Sequence, residues 1–393
     1  MKQKQKQVQY QVLSVLHLDH SHEAGGAELA LVRLIREASG WCPSILLPNS
    51  VAGSIGVFEN LPPGVRCNSV GPAQSPGVSS QSALARLTRF AVQVLAQAVT
   101  VRRSDEFKRA VVVHANTSRA GLYGALACMG TNKKLVLQLR DQITRESLGF
   151  LGQQAFARIA LRRANAIISN SRSTLATAVT LLGPRTVPTA VIHSPIGNIQ
   201  SQMTPTSSSP NPLRIAMVAR IDPWKGQSLL LESFASTFPE GKEELFFAGG
   251  SLFGHEDYLL SLQREVASRG LQDRVHFLGH VEDISQVLSQ VDVCVQASTR
   301  PEPLGQNVLQ YLAAGKAVVA SNEGGPSEWI SDGENGLLFE PRDTASLSRA
   351  LSRLSADRNL LEKLQVAAPR TPGLMSDAQV AEAHGRIFRE VIK

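Results

Sequence analysis

The chain has 393 residues, which at roughly 150 residues per domain suggests two or three domains. Hydrophobic residues make up 43% and charged residues 19%, a balance that excludes an intrinsically disordered chain. No apolar run approaches the ~20 residues that span a bilayer. The basic stretch of residues 1–10 is not followed by the long apolar segment and cleavage site of a signal peptide, so we expect a cytoplasmic protein.

Charge is distributed unevenly along the chain. Residues 1–200 contain 22 Lys and Arg against 9 Asp and Glu, whereas the remaining residues contain 18 against 24. This asymmetry predicts an anionic partner for the first half, either an anionic lipid surface or a phosphate-bearing substrate. A basic surface that serves only solubility is the alternative. Nucleic acid is disfavoured, because aromatic residues are only 5% and no nucleic-acid-binding motif occurs.

The four cysteines are far apart in the chain and form no CxxC pair. We therefore expect separate buried thiols rather than disulfides or a zinc site, and no metal requirement. The cysteines are Cys42, Cys67, Cys128 and Cys294.

Short apolar runs alternate with longer amphipathic stretches, which is typical of parallel sheets flanked by helices. Strands are predicted in the first half at Val12–Leu18, Ser44–Leu47, Val111–Val113, Leu135–Leu139, Ala166–Ser169 and Ala190–His193. Strands are predicted in the second half at Arg214–Val218, Glu244–Ala248, Val275–Leu278, Val291–Val295 and Ala317–Ala320. The Ser-, Thr- and Pro-rich stretch 199–212 reads as a linker. The pattern predicts an α/β fold of two doubly wound domains with a cleft between them, and ligands beyond the carboxyl ends of the strands.

The segment Pro301–Ile330 follows one such strand and carries the strongest site signal. Pro303 and Gly305 suit a tight turn into a predicted helix at Asn307–Ala314. Unpaired backbone N–H groups around that helix start would suit an anion such as a diphosphate. They belong to Leu304, Gly305, Gln306 and Asn307. The GxGxxG fingerprint of dehydrogenases is absent.

This segment resembles the E-x7-E motif of the retaining nucleotide-sugar glycosyltransferases of family 4, also called group 1, with Glu302 first and Gln310 in the second position. The resemblance implies the GT-B architecture, two Rossmann-like domains facing across a cleft. It also implies that Glu302 lies beside the transferred sugar and that Gln310 faces the nucleotide ribose. Gln310 replaces the usual glutamate, although an amide can still hydrogen-bond a hydroxyl.

Met217–Gly226 is similar to the family's G-R-x4-K motif, with Ala219 in place of the glycine. Arg220 offers a planar fork and Lys225 a point charge, and together they would neutralise the departing diphosphate. The resemblance also implies that the backbone of Gly249 and Gly250 approaches the nucleotide. The resemblance further implies that His280 and Val281 lie beside the nucleotide base. The alternative is that His280 is an ordinary surface residue.

Three first-half segments resemble the family more weakly. Gly25 and Gly26 resemble the glycine loop that contacts donor and acceptor, with a simple turn as the alternative. In VHANTS the family often has two histidines, whereas this chain has His114 and Asn116, and His114 is expected to contact the acceptor. The resemblance implies neutral contacts from Asn116, Thr117 and Ser118 to the acceptor or sugar, with a helix cap as the alternative.

The last first-half segment is the pair that follows Leu135–Leu139. Arg140 and Asp141 occupy a position where relatives often have a charged pair, so Asp141 is expected to orient Arg140 or bind the acceptor. A plain ion pair is the alternative.

Ala83–Val101 is apolar and carries only two charges, both arginines. We favour a buried packing helix for this stretch. A helix with one face in a membrane interface, giving peripheral membrane contact through the basic half, is the alternative.

The resemblance implies an acceptor-binding domain at 1–198, a linker at 199–212, a nucleotide-sugar-binding domain at 213–370, and a final helix at 371–393 that packs back toward the first domain. It implies retaining transfer from a nucleoside-diphosphate sugar to a hydroxyl of a glycan, glycolipid or small glycoside. Glu302, Arg220, Lys225 and Asn116 would be the catalytic residues, and no cofactor would be needed. A nucleotide-sugar epimerase and a non-catalytic binding protein of the same architecture are the alternatives. The sequence leaves the oligomeric state open.

Overall fold

The computed structural model describes residues 13–23, 25–50, 53–73, 83–197, 199, 212–251 and 254–393, with the backbone alone for 83–87. The strands are β1 Leu13–Leu18, β2 Trp41–Leu47, β3 Arg66–Ser69, β4 Val112–Ala115, β5 Lys134–Leu139, β6 Ala166–Ser169, β7 Thr189–Val191, β8 Arg214–Val218, β9 Glu244–Ala248, β10 Val275–Gly279, β11 Val293–Gln296, β12 Ala317–Ser321 and β13 Leu337–Phe339. The helices are α1 Gly26–Arg36, α2 Ala83–Arg103, α3 Asp105–Arg109, α4 Ser118–Cys128, α5 Arg145–Ala155, α6 Arg172–Leu182, α7 Gln227–Thr237, α8 Glu256–Ser268, α9 Ile284–Ser289, α10 Gln306–Ala313, α11 Thr344–Ala356, α12 Arg358–Ala367 and α13 Asp377–Glu390.

The chain divides into two units. The first unit comprises Met1–Asn170, Thr174–Pro195 and Asp377–Lys393, as far as these are described, and the second comprises Ser171–Ser173 and Ile196–Ser376. The linker predicted at 199–212 lies, apart from its two ends, outside the described residues.

The first unit is built on a parallel sheet of order β3-β2-β1-β4-β5-β6-β7. Its central strands are buried on both faces, as parallel strands covered by helices require. Helices α2, α3 and α4 pack on one face around Phe107, Tyr123 and Phe156. The last helix, α13, also belongs to this unit and packs against α1.

The second unit repeats the same plan with a parallel sheet of order β10-β9-β8-β11-β12-β13. One face is covered by α7, α8, α11 and α12, with Phe234 and Phe247 fully buried beneath them. The other face is covered by α9 and α10, with Tyr311 and Trp329 buried there. In both units the strand order reverses direction beside the first strand, which is the doubly wound pattern. The predicted α/β class with parallel sheets is confirmed.

Predicted and observed strands differ where the apolar signal is weak. Strand β3 was not predicted because Arg66–Ser69 alternates between exposed and half-buried residues and contains no apolar run. Strand β13 is only three residues long. Helix α10 begins one residue before the predicted start, at Gln306.

Two further expectations need correction. Cys128 and Cys294 are buried thiols as expected, but Cys42 is exposed. Helix α2 does not fit a wholly buried packing helix, because Val92, Leu95 and Val99 point away from the core and are exposed. Within the described ranges, none of the helices is both long and apolar enough to cross a bilayer.

Candidate functional site

The second unit brings its charged motif residues together beyond two adjacent strands. Strands β8 and β11 are hydrogen-bonded neighbours, and the loops that follow them hold residues 219–226 and 297–305. Carboxyl ends of neighbouring parallel strands meet at one edge of the sheet, so the two loops lie side by side.

Local chemistry fixes the first of these loops. Asp222 caps the short 3-10 helix Pro223–Lys225 by accepting a hydrogen bond from the Trp224 backbone N–H. Gly226 then takes a φ of 82°, and any Cβ there would overlap the Ala297 carbonyl oxygen. The Thr299 backbone N–H donates to the Trp224 carbonyl at 2.8 Å. The turn is therefore pressed against the loop after β11.

This packing brings Lys225 onto Glu302. The Lys225 Nζ lies 2.5 Å from Glu302 Oε1, and Ser298 Oγ donates to the same carboxylate oxygen at 2.6 Å. The side chains of Lys225 and Glu302 are only 18% and 9% exposed. The carboxylate is thus compensated by one cation and one hydroxyl in a largely dry site, where ion pairs are strong but costly to break.

Arg220 is held beside this pair through Asp222 and Trp224. The Arg220 Nε lies 3.2 Å from Asp222 Oδ2, which also accepts a hydrogen bond from Trp224 Nε1 at 2.9 Å. Both cations lie over the Trp224 ring, with Lys225 Nζ 3.9 Å and Arg220 Cζ 5.8 Å from the ring centre. Arg220 is the most exposed of the three charged motif residues, at 39%, so its guanidinium can be reached by a ligand.

The Glu302 loop depends on two glycines farther along the chain. Glu302 and Gly324 form an isolated parallel bridge, and the Gly325 backbone N–H donates to the Glu302 carbonyl at 2.8 Å. Gly324 has a φ of 71°, and a Cβ there would lie 2.5 Å from the Glu302 carbonyl oxygen. Only glycine permits this approach.

The anion site that the sequence predicts lies at the start of α10, and it stays a prediction. Gly305 is the N-cap residue with a φ of 75°, and no side chain caps the helix. Leu304 is buried, whereas Gln306, Asn307 and Gln310 are half-buried on one side of α10. The Asn307 side chain donates to the Val218 carbonyl and so anchors α10 to β8. Its Oδ1 accepts a hydrogen bond from the Val308 backbone N–H at 3.0 Å. Gln310 lies one turn after Gln306 on the same face.

The glycines after β9 pack directly against the loop that holds Arg220. A Cβ at Gly249 would overlap the Ala219 carbonyl oxygen, and the Ile221 backbone N–H donates to the Gly250 carbonyl at 2.9 Å. These glycines therefore set the path of the chain on both sides of Arg220. His280 is exposed and Val281 half-buried after the next strand, β10, and a Cβ at Gly250 would lie 3.7 Å from His280 Cβ.

A second polar cluster lies at the carboxyl ends of β1, β4 and β5 in the first unit. Asn116 Nδ2 donates to Asp19 Oδ2 at 2.6 Å and to the Ala27 carbonyl at 3.2 Å. Its Oδ1 accepts two hydrogen bonds from Arg140, at 2.9 and 2.7 Å. Asn116 is fully buried, and both ends of its amide are engaged by the protein. These contacts position Arg140 and Asp19, and a direct catalytic role of Asn116 stays a prediction.

Gly25 and Gly26 start helix α1 beside this cluster. Gly25 is the N-cap, and a Cβ there would overlap Glu28 Oε2, whereas a Cβ at Gly26 would meet open space. The carboxyl of Glu28 is thus folded over the first turn of α1. Burial, together with the nearby carboxylate of Asp19, raises the pKa of Glu28 to about 7.

Three first-half expectations are changed by where the residues lie. His114 is fully buried, with its Nδ1 2.9 Å from His17 Nδ1 and its ring against Phe388, so the structure does not bring it to an acceptor surface. Thr117 caps α4 through the Ala120 backbone N–H, which supports the alternative reading of this residue. Asp141 is exposed and acts on Arg140 electrostatically, while Asn116 accepts two hydrogen bonds from Arg140, so Asn116 shares the orienting role expected of Asp141.

Sequence reasoning missed Asp19, Glu28, Asp222 and Ser298. Asp19 directly follows β1, and a polar residue at that point is the signal that could have identified it. Asp222 precedes a proline, a pattern that indicates a turn residue, so its contact with Arg220 was not predicted. Ligand atoms of Asp19, His20 and Glu28 lie within 4.8 Å of one another, as they would around a metal ion. Asp19 already accepts hydrogen bonds there, from Asn116 and from the His20 backbone N–H, so we assign no metal, and the expectation of none stays a prediction.

Residues 198–371 match the model of the family described as Glycosyl transferases group 1. Among curated proteins, the lipopolysaccharide core biosynthesis glycosyltransferase LpsE of Rhizobium meliloti is 34% identical over 113 residues, which cover 29% of this chain and 33% of that protein. The putative glycosyltransferase EpsD of Bacillus subtilis is 33% identical over 144 residues, covering 37% of this chain and 36% of that protein. The chain therefore spans only about a third of the length of these curated relatives.

Solved structures match over nearly the whole chain. Anabaena HepE in complex with UDP and glucose superposes with a TM-score of 0.74 at 25% identity, covering 96% of this chain and 99% of that chain. The sucrose-phosphate synthase of Thermosynechococcus elongatus superposes with a TM-score of 0.75 at 19% identity and is similar in fold alone. These similarities confirm the predicted GT-B class of two Rossmann-like domains.

Proposed function

We propose, on the premise that residues 198–371 belong to the group 1 glycosyl transferase family, that this chain transfers a sugar from a nucleoside-diphosphate sugar to an acceptor hydroxyl with retention of configuration. The observation that carries the proposal is the contact of Lys225 with Glu302, at 2.5 Å, beside Arg220 and the uncapped start of α10. A diphosphate is bound by cationic donors, and a transferred sugar by a fixed carboxylate that accepts hydrogen bonds from its hydroxyl groups. Arg220, Lys225 and Glu302 offer these groups at one sheet edge, where Asp222 and Glu302 hold the two cations in place.

The diphosphate is bound by Arg220, Lys225 and the backbone N–H groups at residues 304–307. Arg220 can form a bidentate contact with phosphate oxygens, while Lys225 contributes a point charge. The helix dipole of α10 adds to their field at its N-terminus. HepE, the 25%-identical structural neighbour, holds UDP and glucose, which supports a nucleotide-sugar donor and makes UDP the first nucleotide to test.

Glu302 both aligns Lys225 and orients the sugar. Within the described residues its hydrogen bonds to Lys225 and Ser298 use Oε1, so Oε2 is directed to a sugar hydroxyl in our proposal. Gln310 offers an amide to the ribose, on the same face of α10 as its start.

The chemical step needs no external reagent. The acceptor oxygen forms a bond to the anomeric carbon on the face from which the diphosphate leaves, while the bond from that carbon to the phosphate oxygen breaks. The electron pair stays on the diphosphate, which takes the proton of the acceptor hydroxyl. Arg220 and Lys225 stabilise the charge that develops on the leaving group, which is the largest electrostatic requirement of the reaction.

We assign the acceptor to the polar cluster of the first unit. Arg140, oriented by Asn116, supplies hydrogen-bond donors there, and Thr117 and Asp141 flank it. A partly protonated Glu28, with a pKa near 7, can donate or accept a hydrogen bond at neutral pH.

The experiment is turnover of nucleoside-diphosphate sugars with simple glycoside acceptors, followed by the anomeric configuration of the product. We expect a new glycoside with the donor's configuration and one equivalent of nucleoside diphosphate. An inverted product contradicts retention. Conversion of the donor to an isomer without acceptor favours the epimerase alternative. If the protein binds a nucleotide but turns over none of the tested donors with any tested acceptor, the non-catalytic alternative is favoured.

A further inference from the structure

The turn between β13 and α11 holds one residue in a backbone conformation that its side chain disfavours. Of the non-glycine residues that the structure describes, only Arg342 has a positive φ, at 63°. The Asp343 backbone N–H donates to the Glu340 carbonyl at 3.1 Å and closes a four-residue turn. Pro341 and Arg342 are the two central residues of this turn. A positive φ at the third residue of such a turn is normally supplied by glycine or asparagine, so arginine has a backbone cost here that glycine would avoid.

The Arg342 side chain connects the two loops that follow β11 and β12. Its Nη1 and Nη2 donate to the two carboxylate oxygens of Glu323, each at 3.0 Å. Nη1 also donates to the Thr299 carbonyl at 3.0 Å. Thr299 lies in the loop after β11, and Glu323 is the second residue after β12. A bidentate contact of this kind fixes the direction of the side chains as well as their distance.

The contact with Thr299 leads to the turn that holds Lys225. On its other side, the Thr299 backbone N–H donates to the Trp224 carbonyl at 2.8 Å, and the Thr299 hydroxyl donates to the same carbonyl at 3.3 Å. Trp224 immediately precedes Lys225, and its ring centre lies 3.9 Å from Lys225 Nζ. Arg342 therefore supports, through one residue, the turn that presents the cation of the proposed diphosphate site.

The contact with Glu323 leads to the backbone of Glu302. Glu323 immediately precedes Gly324, which forms an isolated parallel bridge with Glu302. The next residue, Gly325, donates its backbone N–H to the Glu302 carbonyl at 2.8 Å. Because these residues are adjacent in the chain, a movement of Glu323 is transmitted to the Glu302 loop.

We propose that Arg342 is a positioning residue that holds the loops of Lys225 and Glu302 at the separation required for sugar transfer, an inference that rests on the proposed function. An exposed ion pair contributes little to the free energy of unfolding, and the Arg342 side chain is 54% exposed. Stability alone therefore does not account for an arginine in a left-handed conformation. Alignment accounts for it, because a displacement of catalytic groups by about 1 Å can lower a rate about a hundredfold.

Arg342→Gly separates alignment from stability, because it removes the side chain together with the backbone strain. With the donor and acceptor that the parent turns over fastest, we expect kcat to fall about tenfold and KM to change far less. The melting temperature should stay nearly unchanged, since the lost ion pair and the relieved strain offset each other. Glu323→Ala should also lower kcat, and adding it to Arg342→Gly should lower kcat no further, because both changes break the same contact.

The matched control is Arg269→Gly on α8 of the same unit. Arg269 forms an exposed ion pair with Glu265, at 2.9 Å, and no hydrogen bond that the structure describes joins its side chain to the loops of Lys225 or Glu302. This variant should keep the kcat of the parent.

A second measurement does not need turnover. Hydrogen exchange of the full chain, followed by mass spectrometry, reports how firmly each segment is held. In Arg342→Gly we expect residues 297–305 and 322–326 to exchange about tenfold faster than in the parent, whereas α8 exchanges at the parent rate.

The outcomes separate this inference from the proposed function. Unchanged exchange in both loops overturns the proposal whatever the activity. Faster exchange with an unchanged kcat shows that Arg342 only stabilises the loops, and it also overturns the proposal. A parent that turns over no donor, together with faster exchange in Arg342→Gly, supports the link between the loops and contradicts the proposed transfer instead.

Discussion

Lys225 and Glu302, which lie 77 positions apart in the chain, meet through a 2.5 Å contact between Nζ and Oε1. The contact exists because the turn at Gly226 packs on Ala297 and because Gly324 and Gly325 hold the Glu302 backbone. The pair therefore links the proposed diphosphate site to the proposed sugar site.

Lys225→Met should abolish turnover and also destabilise the protein, because it leaves the Glu302 carboxylate buried without its cation. We expect a loss of about 2–3 kcal/mol in the free energy of unfolding, below the full value for buried pairs since some solvent reaches this one. Adding Glu302→Gln should recover much of that stability without recovering turnover. Denaturant unfolding and turnover measured on the single and double variants check this, with the exposed Lys363→Met as control. Recovery of turnover in the double variant contradicts a role for either charge.

Asp222→Asn should act through Arg220. Asparagine can still cap the turn at Trp224 but removes the negative charge beside the guanidinium. We expect kcat to fall about tenfold, equivalent to about 1.4 kcal/mol, with a much smaller change in stability. Steady-state kinetics and thermal melts separate the two effects. A loss of stability that accounts for the whole loss of activity would make Asp222 purely structural.

Gly226→Ala should be far more damaging than Gly270→Ala. Both glycines have positive φ, 82° and 67°, so both substitutions carry backbone strain of about 1 kcal/mol. Only at Gly226 does the new methyl group overlap a backbone carbonyl, that of Ala297, whereas Gly270 faces open space. Thermal unfolding of the two variants tests the difference, and equal melting temperatures would contradict the packing of this turn.

Stability should rise with pH between about 4 and 6.5. Burial, and next the neighbouring His384, lower the pKa of His17 to about 3, and burial lowers that of His384 to about 4. Below pH 6.5 these histidines bind protons in the unfolded chain but stay neutral in the folded core. Each histidine therefore increases the free energy of unfolding by up to about 1.4 kcal/mol per pH unit.

The titration of Glu28 partly cancels this rise of stability with pH. Its pKa is raised to about 7, so between about 4.5 and 7 the folded state holds a proton that the unfolded state has lost, and stability falls as pH rises. Glu28→Gln should therefore steepen the net rise, and His17→Phe should flatten it. Urea unfolding at a series of pH values measures both. A profile of the parent that is flat from pH 4 to 6.5 contradicts neutral buried histidines.

The sequence allowed the second unit to be predicted better than the first. Strands β8 and β9 were predicted to the residue because each consists of one charged residue followed by four apolar residues with a clear end. Neighbouring strands then had to bring Arg220, Lys225 and Glu302 to the same edge.

The site residues of the first unit were predicted less well, because their positions depend on side-chain directions that sequence spacing does not reveal. His114 and Asn116 are two residues apart in or just after β4, yet one lies in the aromatic core and the other in the polar cluster. The exposure of Val92, Leu95 and Val99 on α2 could not be read from the sequence, because both faces of that helix are apolar and hydrophobic periodicity does not tell which residues are exposed.

The most direct measurement of the central claim is calorimetric binding of UDP, GDP and ADP to the parent and three alanine variants. We predict that one of these nucleotides binds the parent and that Arg220→Ala and Lys225→Ala each weaken it tenfold or more. Arg214→Ala, at the opposite end of the same strand β8, should leave that affinity unchanged. Absence of binding by all three nucleotides at millimolar concentration, or equal affinities in all four proteins, would contradict the account.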